Sequence, residues 1–504
     1  MATRNDKKDG GITRIGYISS MVTSHERRRF LRTLSLGSLA TFIGNGSSRA
    51  QAAVKVTPKL KFLTQESKGY DDARQLFNSR LNFRPALIAK FNSGKTDKTE
   101  KEIAAAVKHA HLNKLQVTVK SGGHSFEGFS SNNGGMMVSL SAMTGMEYDA
   151  KTKTVKAQPG CRLGQVGSVL LSKGRLLPSG SCAGVGLAGL TLGGGYGLFA
   201  RKHGLTCDHL TGLRMVDGKG DIHDSDDDPE KGAKLLKVCR GGGNGNFGII
   251  TELRFSTVAA PKLFSSQRIR YRKLTPEKVG ELAKLWFTAT TKLPNDGFSA
   301  FVLNGSSLTV LITFFDKGTR AYVEKAFQPM RDKAWRNEAI RVAPTASAIT
   351  RYYGRPGPLP FKNASAGYYR DYDHIAKSIP AIAKQVARVS GTVWQINTLG
   401  GAINTLEFEK QSVYPHRAYP WLGEIQGYWD NIKREGICVE NVATVQKLIT
   451  ACGVTDHYRN YPDIDFKNSG KAYYGESGLE QISEMKKLYD PDNTIHHPQS
   501  VKAN

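Results

Sequence analysis

This 504-residue sequence lacks paired cysteine motifs, long apolar runs and internal repeats. Its six cysteines include no C-x-x-C pair, so neither a zinc knuckle nor a thioredoxin-like redox pair is expected. No apolar run reaches the roughly 18 residues that a membrane-spanning helix needs, and we therefore expect no stable membrane insertion. Internal repeats and low-complexity arrays are also absent, which excludes solenoid and fibrous architectures.

Acidic residues are few relative to basic ones. The chain has 71 Lys and Arg against 44 Asp and Glu, a formal net charge of +27, and such a charge can attract nucleic acids. The basic residues are nevertheless spread along the chain, without a basic helix repeat, zinc-finger spacing or RNA-binding aromatic motif. We therefore expect no nucleic-acid partner.

One short apolar stretch lies near the N-terminus, within residues 1–52. The basic sequence ERRRF at residues 26–30 precedes apolar residues 31–44, and the small-residue sequence AQA follows at residues 50–52. This order is typical of an export signal and resembles the twin-arginine signal, whose machinery exports folded proteins. We expect a periplasmic or secreted protein; the alternatives are an ordinary basic N-terminus or a start at Met21.

Two glycine-rich stretches each contain one residue that can form a covalent bond. SGGHSFEG spans residues 121–128 and contains His124, and PSGSCAGVGLAGLTLGGGYG spans residues 178–197 and contains Cys182. Because glycine has no Cβ, such loops can bring several backbone N–H groups close to an anionic ligand. The residues alone leave two alternatives open: a turn histidine satisfied by backbone, and a buried thiol or half of a disulfide.

Hydrophobic periodicity predicts an α+β fold, and the pattern of residues along the chain changes near Pro261. Before this point, a helix capped by Thr99 and a strand over residues 116–119 lead directly into the first glycine loop. After it, residues 276–291 have a helical pattern and residues 307–315 have a strand pattern. The pattern indicates two layered units.

This change in the residue pattern divides the chain into four predicted segments. Residues 1–52 form the signal, and residues 53–258 form the first part of a ligand-binding domain. Residues 259–454, which lack glycine clusters, form an inserted α/β domain with an antiparallel sheet flanked by helices. Residues 455–504 complete the first domain.

Six motifs in their order along the chain resemble the berberine bridge enzyme-like branch of the vanillyl-alcohol oxidase, or PCMH-type, FAD-binding superfamily. Besides the two glycine loops they are ARKHGLTCDHL at 200–210, RGGGNGNFGIIT at 240–251, YPHR at 414–417 and YRNYPDID at 458–465. The resemblance implies a two-part FAD-binding domain with an inserted substrate domain. It also implies FAD linked through its 8α-methyl group to His124 and through ring carbon 6 to Cys182.

The resemblance places the cofactor contacts in these glycine stretches and near the C-terminus. Besides His124 and Cys182, the implied FAD-binding residues are Ser121, Gly122, Gly123, Ser125, Gly128, Gly180, Val185, Gly186, Gly189, Gly194, Gly195, Tyr196, Gly197, Gly248, Ile249, Ile250 and Asn460. Twin-arginine export agrees with this, because FAD made in the cytosol has to be bound before transport.

The resemblance also implies the catalytic residues. Tyr458 and Tyr461 would lie over the flavin, with Tyr461 as the base that takes the substrate's proton. A tyrosine serves as a base near neutral pH only if cations or hydrogen-bond donors stabilise its phenolate. Glu424 and Gln426, two residues apart on a predicted strand, would face the substrate together. The alternative is that the two tyrosines only pack a domain junction.

We therefore expect an FAD-linked oxidase of an alcohol, a sugar or a related metabolite, with a small-molecule substrate and O2 as its reactants. Gln426 stands where alkaloid ring-closing relatives carry a glutamate base, which argues against that reaction. Val185 matches the oxygen-reactive members of the family and favours release of H2O2. The alternatives are an amine or alkaloid oxidase of hydroxynicotine type, a weakly oxygen-reactive dehydrogenase, and a non-catalytic binding relative.

Overall fold

The structure is a computed structural model that describes residues 60–94 and 96–503. The predicted signal at residues 1–52 lies outside the described residues. Within the described part of the chain, none of the helices has the length and apolarity required to cross a bilayer.

Four sheets contain the strands of the described residues. In spatial order, the first contains Phe62–Leu63, Leu87–Asn92, Met136–Ala142 and Val117–Lys120; the second contains Met146–Asp149, Thr154–Ala157, Gly248–Ser256, Leu210–Asp217 and Ile222–Asp224. A third, two-stranded sheet pairs Val258–Ala259 with Arg175–Leu176. The large antiparallel sheet contains Arg336–Asn337, Leu263–Tyr271, Ser307–Phe314, Phe298–Asn304, Thr392–Thr398, Trp421–Tyr428 and Phe361–Tyr369, and Arg341–Pro344 pairs with Leu263–Tyr271.

Helices connect and cover these sheets. The α-helices are Tyr70–Arg74, Thr96–Leu112, Leu163–Ser172, Leu187–Leu192, Ala200–His203, Pro229–Cys239, Pro276–Thr291, Lys317–Ala326, Gln328–Arg331, Thr345–Ala348, Ile379–Arg388, Leu406–Lys410, Glu435–Thr450 and Ser469–Tyr489. Short 3₁₀ helices are Thr206–His209, Ile349–Tyr352, Ala376–Ser378, Gly401–Asn404 and Ile432–Arg434. The helix predicted to begin at Thr99 begins three residues earlier, while the helix Pro276–Thr291 has its predicted bounds.

The start of the helix Pro276–Thr291 follows from its first residues. The hydroxyl of Thr275 accepts a hydrogen bond from the backbone N–H of Lys278, and Pro276 occupies the first helical turn. A threonine cap satisfies a donor that has no partner within the helix, and proline fits the first turn because it has no N–H to leave unpaired.

The large sheet separates an apolar core from a polar face. Its helix-covered side buries Trp286, Trp394, Ile425 and Val442 in one hydrophobic cluster. Alternation along the strand Trp421–Tyr428 then turns the neighbours of Ile425 to the opposite side. The antiparallel sheet flanked by helices confirms the α+β fold class, and all its strands lie inside the predicted 259–454 segment.

The C-terminal segment returns to the first sheet. The backbone N–H of Val117 donates to the carbonyl of Thr494 at 2.8 Å, and the N–H of His496 donates to the carbonyl of Val117 at 3.1 Å. The strand that leads into the first glycine loop is therefore held by residues nearly 380 positions later in the chain. This contact agrees with a first domain that is built from two parts of the sequence.

A buried ion cluster joins three distant segments. Lys362, on the large sheet, forms ion pairs with Glu127 of the first glycine loop and with Asp463 of the C-terminal segment, the latter at 2.7 Å. The three residues are only 3%, 7% and 3% exposed. Since buried charges are stable only when paired, the cluster fixes the relative positions of these three segments.

Replacing Lys362 with Met should lower the free energy of unfolding by about 3–5 kcal/mol. Buried Asp463 would lose its cation, and Glu127 would keep only the longer contact with Arg80 at 3.4 Å. Urea unfolding followed by tryptophan fluorescence measures the change. Lys471→Met is the matched control, since Lys471 pairs with Glu476 on the surface, and it should leave the unfolding midpoint unchanged. Equal midpoints for the two variants would contradict this role of Lys362.

Candidate active site

A cavity of about 660 Å³ lies between the glycine loops, the large sheet and the C-terminal segment. The predicted site residues that line it are Ser121, Gly122, Gly123, His124, Ser125, Gly180, Cys182, Val185, Gly186, Gly189, Tyr196, Gly197, Gly248, Ile250, Glu424, Gln426, Tyr458, Asn460 and Tyr461. Residues from five separate stretches of the sequence therefore meet at one site.

Four predicted contact residues lie outside the cavity lining: Gly128, Gly194, Gly195 and Ile249. A Cβ on Gly128 would lie 2.5 Å from Phe83, and one on Gly194 would lie 2.8 Å from Tyr414. Both glycines are at positive φ, so backbone conformation and close packing already require glycine there. Ile249 points into the core behind the first sheet.

The two glycine loops touch backbone to backbone. A Cβ on Gly186 would lie 2.5 Å from the backbone nitrogen of Gly122, so any side chain there would force the loops apart. The guanidinium of Arg162 holds the same junction, since its Nη1 donates to the carbonyls of Gly122 at 2.6 Å and Gly184 at 3.0 Å. Our sequence analysis missed Arg162, because no motif marks it.

His124 is held as a neutral base beside this junction. Its ring stacks on Phe77, with 4.0 Å between the ring centroids. Burial, followed by the nearby Arg162 charge, lowers the pKa of His124 to about 3. A neutral imidazole keeps a nitrogen lone pair available for a covalent bond.

Cys182 faces the cavity from the second loop. The N–H of Ala183 donates to the carbonyl of Tyr353 at 3.0 Å, which fixes the loop beside Gly354. The cysteine is accessible through the cavity and is not in a disulfide. Burial of the thiol, followed by the Glu424 charge, raises the pKa of Cys182 to about 11. The half-disulfide alternative is therefore wrong.

Glu424 and Tyr461 form a buried, hydrogen-bonded pair of titratable groups. Burial, partly offset by hydrogen bonds with Gln426 and Tyr461, raises the pKa of Glu424 to about 8. Burial, followed by the charge of Glu424, raises the pKa of Tyr461 well above its ordinary value. The hydroxyl groups of Tyr461 and Tyr196 are 2.6 Å apart and share a hydrogen bond.

Tyr458 and Arg459, the neighbours of this pair in sequence, are engaged elsewhere. The hydroxyl of Tyr458 accepts hydrogen bonds from the N–H of Gly195 at 2.9 Å and from Nδ2 of Asn460 at 3.0 Å. Arg459 donates to the hydroxyl of Tyr474 at 2.7 Å. No nearby cation therefore lowers the pKa of Tyr461, so the tyrosine is held as a neutral phenol.

Sequence reasoning also missed two amides that flank Glu424 and Gln426. In the sheet register Asn363 lies opposite Gln426, and Gln395 lies opposite Glu424. Nδ2 of Asn363 donates to the hydroxyl of Tyr428, and Nε2 of Gln395 donates to Asn397. The same period-2 pattern that selected Glu424 would have found Gln395 on its strand.

The residues present fit an FAD cofactor. Within the described part of the chain, the backbone N–H groups of Gly122, Gly123, His124 and Ser125 donate to no protein acceptor, so four donors remain for an anion such as a diphosphate. A Cβ on Gly189, which lines the cavity, would meet nothing within 4 Å. The neutral imidazole of His124 and the thiol of Cys182 line the same cavity.

The comparisons with known proteins agree with this fit. The family described as FAD binding domain matches residues 97–226, and the family described as Berberine and berberine like matches residues 457–502. An uncharacterized FAD-linked oxidoreductase of Bacillus subtilis is 28% identical over 458 residues, covering 88% of this chain and 96% of that protein.

Sugar oxidases are among the similar proteins. Chitooligosaccharide oxidase of Gibberella zeae is 28% identical, covering 87% of this chain and 91% of that protein. A solved structure of glucooligosaccharide oxidase from Acremonium strictum, described with a 6-S-cysteinyl, 8α-N1-histidyl FAD, has a TM-score of 0.77 and 24% identity; it covers 88% of this chain and 97% of that chain. Together with the site these matches define an FAD-linked oxidoreductase, an enzyme.

Within that class, the two matched domains, FAD binding at residues 97–226 and Berberine and berberine like at residues 457–502, make the chain similar to the berberine bridge enzyme-like FAD-linked oxidases. The fold and family inferred from the six motifs are confirmed, and the non-catalytic alternative is wrong. The assignment of individual residues to FAD and to catalysis stays a prediction.

Replacing Gly122 with Ala should sharply reduce the flavin that stays with acid-precipitated protein, because the added methyl group separates the two loops that carry His124 and Cys182. Absorbance at visible wavelengths and the mass of the denatured chain measure the attached flavin. Gly280→Ala is the control, since a Cβ there meets nothing within 4 Å. Full flavin attachment in Gly122→Ala would contradict the prediction.

Proposed function

We propose that this enzyme is a bicovalently flavinylated oxidase of a hydroxyl-bearing substrate such as a sugar, with FAD attached to His124 and Cys182 and with H2O2 as a product. The observation that carries the proposal is the position of Glu424 and Tyr461 in the same cavity as His124 and Cys182. FAD bound in this cavity would accept a hydride from the substrate carbon and pass the electrons to O2. The protein's own residues have to bind the hydroxyl group and remove its proton.

The pKa directions support a two-residue path for that proton. Because the pKa of Tyr461 is raised, its phenol cannot hold the negative charge of a resting base. Glu424 is hydrogen-bonded to Tyr461 and has a pKa of about 8. We infer that the substrate hydroxyl gives its proton to Tyr461 while Tyr461 gives its own proton to the Glu424 carboxylate. The Tyr196 hydroxyl keeps the Tyr461 hydroxyl in position.

Unpaired amide oxygens support a substrate with several hydroxyl groups. The side-chain oxygens of Asn363, Gln395 and Gln426 are buried and have no hydrogen-bond partner, although all three residues line the cavity. A buried acceptor without a donor is costly, and hydroxyl groups of a bound ligand would satisfy it. The sugar oxidases among the similar proteins agree with this substrate class.

The proposed export is supported more weakly. The mature enzyme would act in the periplasm or outside the cell after twin-arginine transport, as the arginines and small residues before position 53 suggest. Cofactor loading before transport would suit a flavin that is covalently attached.

Tyr461→Phe and Glu424→Gln should each slow flavin reduction by substrate about tenfold or more, because each removes one step of the proton path.

In the parent enzyme the reduction rate should rise as the pH passes through about 8, since only ionised Glu424 accepts a proton. Stopped-flow absorbance measures both effects, and Glu424→Gln should remove this pH dependence. Tyr322→Phe is the matched control, because its hydroxyl bonds to Ala289 outside the cavity.

A panel of oligosaccharides, simple alcohols and amines, read out by peroxide release, tests the substrate class. We expect peroxide from hydroxyl-bearing compounds, with sugars the best substrates. Peroxide from amines alone would favour the amine or alkaloid oxidase instead.

Anaerobic reduction of the bound flavin, followed by admission of air, tests the oxidase assignment. Flavin reoxidation over minutes would indicate a dehydrogenase.

A further inference from the structure

Arg459 is a buried cation without an anionic partner. Its side chain is 5% exposed, and within residues 60–94 and 96–503 no carboxylate forms an ion pair with it. The rings of Phe129 and Tyr473 each lie 5.5 Å from its guanidinium carbon. Aromatic faces and one tyrosine hydroxyl stabilise a guanidinium only in part, and an unpaired buried charge is costly.

The ring of His497 is another neighbour of the guanidinium, but it cannot accept a hydrogen bond from Arg459 without leaving another donor unpaired. Nη2 of Arg459 lies 2.9 Å from Nε2 of His497, and the same Nε2 lies 3.1 Å from the carbonyl of Asn244. The N–H of Gln499 points to the other ring nitrogen at 3.1 Å. A neutral imidazole has one donor and one acceptor, so either Arg459 or Gln499 faces a second donor.

The imidazole of His497 is neutral. Burial, followed by the Arg459 charge, lowers the pKa of His497 well below its ordinary value. This corner of the cavity therefore combines a full positive charge with one hydrogen-bond donor too many. It requires an anionic acceptor.

The location identifies which anion fits. Arg459, Asn244 and His497 all line the cavity. Phe129, whose ring lies beside Arg459, donates its backbone N–H to the Ser125 hydroxyl at 3.1 Å. Arg459 therefore lies close to the loop whose backbone N–H groups have no protein acceptor. The substrate-facing side of the cavity, by contrast, presents Glu424 and amide oxygens, which suit hydrogen-bond donors.

We propose that Arg459 binds the diphosphate of FAD, together with the free N–H groups of the loop at residues 122–125. Guanidinium groups bind phosphate oxygens through two parallel hydrogen bonds, which makes arginine better suited than lysine to a planar, two-oxygen contact. The proposal rests on FAD as the cofactor of the proposed function.

Arg459→Met and Arg459→Lys, purified as full-length chains, test the proposal by flavin content. We expect the Met variant to contain about tenfold less flavin per protein than the parent, because a charge-assisted phosphate contact is lost. The Lys variant should retain most of its flavin, with shifted ³¹P NMR resonances for the diphosphate. Tyr474→Phe is the control: it removes a hydrogen bond to the guanidinium but keeps the charge, and its flavin content should stay at the parent level.

Two outcomes would overturn the proposal. One is full flavin content in Arg459→Met with parental ³¹P resonances. The other is equal flavin loss in the Met, Lys and Tyr474→Phe variants with equally lowered melting temperatures, which would assign Arg459 a purely structural role. A parent protein without any flavin would instead refute the proposed function, so the two failures are distinguishable.

Discussion

The close contact between the backbones of Gly122 and Gly186 is the constraint on which the site depends. Only two residues without side chains permit this approach, and it brings His124 and Cys182, 58 positions apart in sequence, to one cavity. Arg162 then holds the junction by binding a carbonyl from each loop. The proposed attachment of one flavin ring to both residues depends on these two loops staying together.

The large sheet supplies the opposite wall through ordinary strand alternation. Ile425 packs into the helix-covered core, while its neighbours Glu424 and Gln426 face the cavity. A single strand thus contributes both to the stability of the inserted domain and to the chemistry of the site. The buried cluster of Lys362, Glu127 and Asp463 fixes this wall against the first glycine loop and the C-terminal segment. The relative positions of Glu424 and His124 therefore depend on an ion cluster outside the cavity.

Charge is distributed unevenly within the cavity, and the distribution follows the needs of two ligands. The substrate side contains a carboxyl group, phenols and amide oxygens without donors, which suit hydroxyl groups. The side next to Phe129 and His497 contains a guanidinium and unpaired N–H groups, which suit phosphate oxygens.

The sequence by itself determined the family, the α+β class, the two glycine loops and the pairing of Glu424 with Gln426, because these depend on local composition and on short periodicities. It could not separate ligand-facing glycines from Gly128 and Gly194, which a backbone conformation requires. Nor could it find Arg162, Asn363 or the environment of Arg459. Those are contacts between segments far apart in the chain, and only the tertiary structure decides which charges are buried, which are paired and which oxygens lack a donor.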